Sequence, residues 1–185
     1  DTDIFAFQGR AGDEIVAEVT ARRLNSPLDS RLRLTDDSGK EVAANDDFED
    51  KGAGLTTHQA ASYILTRLPA DGRYRLHLSD SQGKGGAAYA YRLRVSAPRP
   101  DFELRLAPSS LAVRAGATAP FTVYAMRKDG FTNDITLALK DAPAGFKLSP
   151  TRLAGTNDQV RVTLTAPMYG AHEPISVQIE GYATI

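Results

Sequence analysis

A chain of 185 residues, 24% charged and 42% apolar, has the composition of an ordinary soluble globular protein, with room for one large domain or two small ones. A net charge of −1 gives no pull toward nucleic acid or anionic lipid, and no apolar run approaches the roughly 20 residues that cross a bilayer. Cysteine is absent, which excludes disulfides, thiolate metal sites and cysteine nucleophiles; tryptophan is absent too, which weakens a stacking platform for sugars.

Taken in chain order, short stretches of alternating apolar residues are separated by turn-formers, the pattern of β-strands. Phe5 and Phe7 share one face of an opening strand, and Ile15, Ala17 and Val19 one face of the next. Leu32 and Leu34 follow, then the hairpin turn Asp36-Asp37-Ser38-Gly39, then Val42. A weak helix-compatible stretch near Gly54–Ala61 precedes a strand around Tyr63–Leu68. In Leu68-Pro69-Ala70-Asp71-Gly72-Arg73-Tyr74-Arg75-Leu76, an Asp-Gly turn feeds an alternating strand. Tyr74, two residues past the glycine, is placed as in the tyrosine corner of a Greek-key sandwich. Tyr89, Tyr91, Leu93 and Val95 close the first half.

Ser96-Ala97-Pro98-Arg99-Pro100 marks a boundary, because two prolines fix φ and remove two amide donors. The expected domains are 1–97 and 98–185. In the second, strands are expected at Phe102–Leu106, Leu111–Val113, Phe121–Ala125, Ile135–Leu139, Phe146–Leu148, Val160–Leu164 and Ile175–Ile179. Turns fall at Asp129-Gly130 and Pro143-Ala144-Gly145. Seven short strands in under 90 residues suit an immunoglobulin-like sandwich without the Cys–Trp–Cys hallmark. The predicted class is all-β, two tandem antiparallel β-sandwiches. The chain opens on Asp1 without initiator Met or signal peptide and closes on Gly181–Ile185, a strand cut in mid-run, so it is expected to be part of a larger protein.

Several of these pieces occur together in one family. Asp1–Phe7 with Ala11-Gly12-Asp13, Leu28–Leu34, Gly39, Asn45-Asp46-Asp47, the Pro-Ala-Asp-Gly-x-Tyr corner and Tyr89–Val95 resemble, in order, the landmarks of bacterial pre-peptidase C-terminal domains. The resemblance covers nearly the whole first half. It implies a jelly-roll-like sandwich in a secreted protein, often near a protease domain, similar in fold to the collagen-binding domains of clostridial collagenases, some of which bind calcium. Where that family often has Asp-Ser before the strand leading to the corner, this chain has Ala61-Ser62. The second half resembles, less specifically, the Ig-like modules that accompany such domains, through Arg127–Phe131 and Ala142–Phe146.

The acidic run Asn45-Asp46-Asp47-Phe48-Glu49-Asp50 is the sharpest candidate site. Calcium takes about six to eight oxygens, which interleaved carboxylates, Asn and carbonyls on a loop supply. The candidate ligands are Asp3, Asp29, Asn45, Asp46, Asp47 and Asp50, with Asp1 a further oxygen source, provided the opening strand comes alongside. The competing reading is a solvated turn whose Asx side chains cap local amides; the spacing is not that of an EF-hand. His58, His77 and His172 lack metal spacing, and no serine lies in Gly-x-Ser-x-Gly, so no catalytic triad is expected. Gly83-Lys84-Gly85-Gly86 lacks the ending of a P-loop and reads as a hairpin loop. Arg31, Arg33, Arg73, Arg75, Arg92 and Arg94 recur at strand spacing, either as a solvated face or as a stripe for polyanions.

These readings converge on a non-catalytic accessory module of a secreted, periplasmic or cell-surface bacterial protein. Its expected partners are the other domains of its parent and an extracellular protein or polysaccharide, with no nucleic acid and no membrane span. The alternative is a calcium-stabilised module that targets a secreted hydrolase to collagen-like or carbohydrate substrates.

Overall fold

The computed structural model describes residues 1–21, 24–49, 60–170 and 173–185. Among them there is no α-helix, and the fold is all-β. The chain divides into two compact units, Asp1–Arg99 and Pro100–Ile185.

The first unit contains β1 (Thr2–Gly9), β2 (Glu14–Thr20), β3 (Ser30–Asp36), β4 (Glu41–Asn45), β5 (Phe48–Glu49), β6 (Ala60–Ala61), β7 (Tyr63–Arg67), β8 (Gly72–Asp80) and β9 (Arg92–Ser96). One sheet has the order β1-β8-β3-β4 and the other β7-β2-β9; β5 and β6 form a small ribbon. Every pairing is antiparallel. Alternation decides which faces meet. Tyr74, Leu76 and Leu78 of β8 and Leu32 and Leu34 of β3 point inward against Ile15, Ala17 and Val19 of β2, all buried.

The predicted corner forms. The Tyr74 hydroxyl donates to the Ala70 carbonyl at 2.6 Å and accepts from the Ala70 amide at 3.3 Å, while the ring stacks on Phe7 at 5.8 Å between centroids. Neighbouring bonds stitch this corner to the β1–β2 turn. Asp71 accepts from the Ala11 amide at 2.7 Å, Gly12 donates to the Leu68 carbonyl at 2.8 Å, and Leu68 donates to the Asp13 carbonyl at 2.8 Å. Gly9 is required by close approach: a Cβ there would lie 2.2 Å from the Leu68 side chain and 3.3 Å from the Tyr74 ring.

The expected closing strand is shorter than its alternation suggested. β2 ends at Thr20, whose register partner is Arg92, so the ladder has nothing to pair with Tyr89 or Tyr91. Those rings instead pack half-buried against the core. Of the helix-compatible stretch, Ala60–Ala61 is in β6 and residues 54–59 lie outside the described residues.

The second unit contains β10 (Asp101–Ala107), β11 (Thr118–Lys128), β12 (Ile135–Lys140), β13 (Lys147–Ser149), β14 (Arg152–Leu153), β15 (Gln159–Thr165) and β16 (Gln178–Tyr182). Its sheets have the orders β10-β11-β15-β13 and β14-β12-β16. Phe121, Val123, Ile135, Leu137, Leu153 and Val162 are buried in its core. At the Asp129-Gly130 turn both residues have positive φ, 48° and 77°, and the Phe131 amide closes it on the Lys128 carbonyl at 3.0 Å.

Two expected strands are corrected here. Leu111 and Val113 belong to no strand, and the seventh strand starts at Gln178 rather than Ile175. β12 supplies the ladder for β16, and its last paired residue, Lys140, faces Gln178, so nothing pairs with residues before it.

Arg127 latches the loops of this unit. Its guanidinium donates to the carbonyls of Asn133 (2.8 Å), Ala154 (3.0 Å) and Asn157 (3.2 Å) and lies 5.3 Å from the centre of the Phe131 ring. The rigid guanidinium fork spreads its donors over three carbonyls from one strand position.

Two substitutions test these closures. Tyr74→Phe strands the Ala70 carbonyl and is expected to destabilise the first unit by about 1–3 kcal/mol in denaturant unfolding. Arg127→Lys keeps the charge but loses the fork, and is expected to destabilise the second unit by a similar ~1–3 kcal/mol.

Candidate functional site

The antiparallel order of the first sheet gathers carboxylates at one end. β1 and β3 begin there and β8 and β4 end there, so Asp1 and Asp3, Asp80, Asp29, and Asp46 and Asp47 follow one another along the rim. Asp80 did not stand out in the sequence. Its place as the last inward residue of an alternating strand was the available signal.

Asp80 organises the centre of this rim. It is 6% exposed, and its oxygens accept the amides of Asp29 (3.1 Å), Gln82 (3.0 Å) and Lys84 (3.0 Å). Burial opposes its ionisation, but the three amide donors, helped by the Lys84 charge, hold its carboxyl below the usual range. These bonds fold Gly83–Gly86 into a loop capped from below, with Gly83 at φ 73°. Asp29 accepts the Ser81 hydroxyl, and its carbonyl accepts the Ser81 amide at 2.8 Å.

The predicted calcium ligands separate into groups. Asp3 accepts the Tyr91 hydroxyl at 2.5 Å; burial first, then this bond and the Asp3 charge, push the Tyr91 phenol up to about 12. Asp3 pairs with Leu78, Leu78 with Leu32, and Leu32 with Asn45. Asp3 and Asn45 are thus three strand spacings apart, roughly 14 Å, and the opening strand does not come alongside the acidic run. The Asn45 side chain ties its own loop, accepting the Tyr63 amide at 3.0 Å and donating to the Asp47 carbonyl at 3.2 Å. Asp46 and Asp47 are exposed beyond the end of β4. Asp50 lies outside the described residues. Among the described residues, no group of three or more His, Cys, Asp or Glu side chains converges to hold a metal ion.

The remaining candidates resolve by face and contact. His58 and His172 lie outside the described residues. His77 is on the outer face, 3.3 Å from the Thr35 hydroxyl and opposite Arg33; desolvation, then the charges of Arg33 and Arg75, lower its pKa. Ser62 is fully buried and bonded to Ser30 at 2.9 Å between hydroxyls. The arginines do not form one stripe. Arg31, Arg33, Arg73 and Arg75 belong to the β1-β8-β3-β4 sheet, where Arg75 pairs with Asp37 at 2.7 Å. Arg92 and Arg94 belong to the other sheet, where Arg94 pairs with Glu18 at 2.9 Å.

Comparison with known proteins adds one relationship. Over 80 residues, 43% of this chain, it is 45% identical to a probable subtilase-type serine protease of Deinococcus radiodurans. The matched stretch is 10% of that relative's length. No family model and no solved structure matches the chain. No helix among the described residues is long and apolar enough to cross a membrane.

The Asp80 cap makes the first unit acid-sensitive in a defined direction. A carboxylate whose folded pKa is depressed stabilises the fold fully above its unfolded value of about 3.9 and loses that contribution as pH falls through the folded value. Asp80→Asn is expected to lower stability at pH 7, and its deficit relative to the parent chain should narrow below about pH 4. Urea unfolding from pH 7 downward measures this. Asp36, held low chiefly by the Ser38 hydroxyl, adds the same sign of dependence in both proteins.

Proposed function

We propose that this chain is a non-catalytic accessory β module of a larger secreted bacterial protein of the protease type. In that parent it spaces, anchors or targets the whole by binding an extracellular protein or polymer. The observation that carries this reading is the 45% identity of an 80-residue stretch to a small part of a subtilase-type protease, in a chain built of two all-β units. The family resemblance of the first half, to pre-peptidase C-terminal domains, agrees with it. Asp80, Asp29 and the Ser30–Ser62 pair are spent on holding strands and loops together, which suits a module whose work is mechanical or adhesive.

The parent protein lacking residues 1–185 is expected to keep its turnover of a short soluble peptide and to lose retention on insoluble protein substrate. Loss of peptide turnover itself would place catalysis in this segment and sink the proposal.

The second reading, a calcium-stabilised targeting module, is favoured by Asp46 and Asp47, which are exposed at the same sheet end as Asp29. Calcium that binds only the folded state raises the melting temperature, by RT ln(1 + [L]/Kd) in free energy. A rise at millimolar calcium that Asp46→Asn with Asp47→Asn removes is the outcome this reading requires; an unchanged melting temperature would dismiss it.

A further inference from the structure

Four of the six strand-spaced arginines share one face of the first unit. The alternation that turns Leu32 and Leu34 of β3, and Tyr74, Leu76 and Leu78 of β8, into the core turns Arg31 and Arg33, and Arg73, Arg75 and His77, to the outside. β3 and β8 are neighbours, and their register sets Arg31 opposite Ser79, Arg33 opposite His77 and Thr35 opposite Arg75. Down the sheet, Arg31, Arg33, Arg75 and Arg73 therefore stand on four successive outward levels, one arginine to each. Alternate residues are about 7 Å apart along a strand, so the row runs roughly 20 Å and crosses from β3 to β8 midway.

Most of this row is open to a ligand. Arg31, Arg33 and Arg73 are exposed, and among the described residues no carboxylate bonds to any of them. Arg75 is held by Asp37 at 2.7 Å. Two further carboxylates are near by register: Glu41, opposite Thr35 on β4, and Asp46, one residue past the Asn45 that pairs with Leu32. Among the described residues, neither bonds an arginine. On the other flank, β1 sets the uncharged Thr2, Ile4, Ala6 and Gln8 against Ser79, His77, Arg75 and Arg73.

Positive charge from both strands already meets at the centre of the row. Desolvation first, then the charges of Arg33 and Arg75, lower the pKa of His77, which lies between them. A chain of net charge −1 thus carries a local concentration of cations on one sheet face.

We propose that this face binds a linear anionic polysaccharide, whose carboxylate or sulfate groups meet Arg31, Arg33, Arg73 and Arg75 in turn. The inference rests on the functional reading above, that the chain binds an extracellular polymer, and names the class of polymer. Guanidinium groups pair with oxyanions through parallel N–H donors, and a straight row of them suits an extended chain with acidic groups at intervals. The rest of the face selects the same occupant. The outward residues of β1, β3 and β8 include no aromatic side chain, so neither bases nor sugar rings have a stacking platform. Recognition is left to charge, and single-stranded nucleic acid is disfavoured. Ile4 is the one large apolar side chain among those outward residues, too little apolar area to seat the face on a lipid surface.

The test titrates the chain with dextran sulfate, uncharged dextran of equal length, duplex DNA and phosphatidylserine vesicles. Dextran sulfate is expected to bind tightest, uncharged dextran not at all, and the affinity to fall about tenfold or more between roughly 50 and 200 mM salt. Arg31→Gln with Arg33→Gln removes two contacts and should lower the slope of log affinity against log salt by about two. Arg92→Gln with Arg161→Gln removes the same charge from the other sheet and the second unit, and should leave affinity within about twofold. All four positions are exposed, so both variants are expected to melt as the parent chain does. Equal losses in the two variants would overturn the inference, as would tighter binding to DNA or to vesicles. Absence of binding to dextran sulfate would overturn it too, while leaving the accessory-module reading to stand or fall on the peptide turnover of the parent protein.

Discussion

Backbone groups that leave a β-ladder must find partners, and in this chain side chains at strand ends supply many of them. Tyr74 closes one corner on the Ala70 carbonyl, Asp80 caps three amides, and Arg127 gathers three carbonyls. Asp36 does the same for its hairpin, accepting the Ser38 and Lys40 amides. Strands alone leave these connections unpaired, and the apolar faces cannot stay in register without them.

This division of labour bears on how the acidic residues are read. A carboxylate that already accepts several amides is a poor resource for a ligand, since a cation would have to compete with those donors. Asp80 is in that position, and Asp3 and Asn45 are partly so through Tyr91 and Tyr63. Asp46 and Asp47, exposed beyond β4, are differently placed. The rim thus combines structural carboxylates with solvent-facing ones, and composition does not separate the two.

The two units differ in how completely they are closed. In the first, Leu32, Leu34 and Leu76 are wholly buried between sheets of four and three strands. In the second, Leu106, Leu111 and Phe146 remain half-buried. Two expected strands of this unit, at Leu111–Val113 and at Ile175–Val177, did not form. Alternation at Leu111–Val113 and Ile175–Val177 marks a capacity for pairing, but a strand exists only where a neighbour presents its edge.

The sequence by itself determined the class of structure and its punctuation. Period-two apolar spacing is a property of each segment, so β2, β3, β8, β11, β12 and β15 were legible, as were the Asp36–Gly39 and Asp129-Gly130 turns and the Tyr74 corner. The tertiary structure alone decided where ladders stop, because that depends on a partner distant in sequence, as Thr20 does for Arg92 and Lys140 for Gln178. It also decided which acids meet. Strand order sets Asp3 and Asn45 at opposite edges of one sheet and brings Asp80 against Asp29, a relation between residues 51 apart that no local pattern encodes.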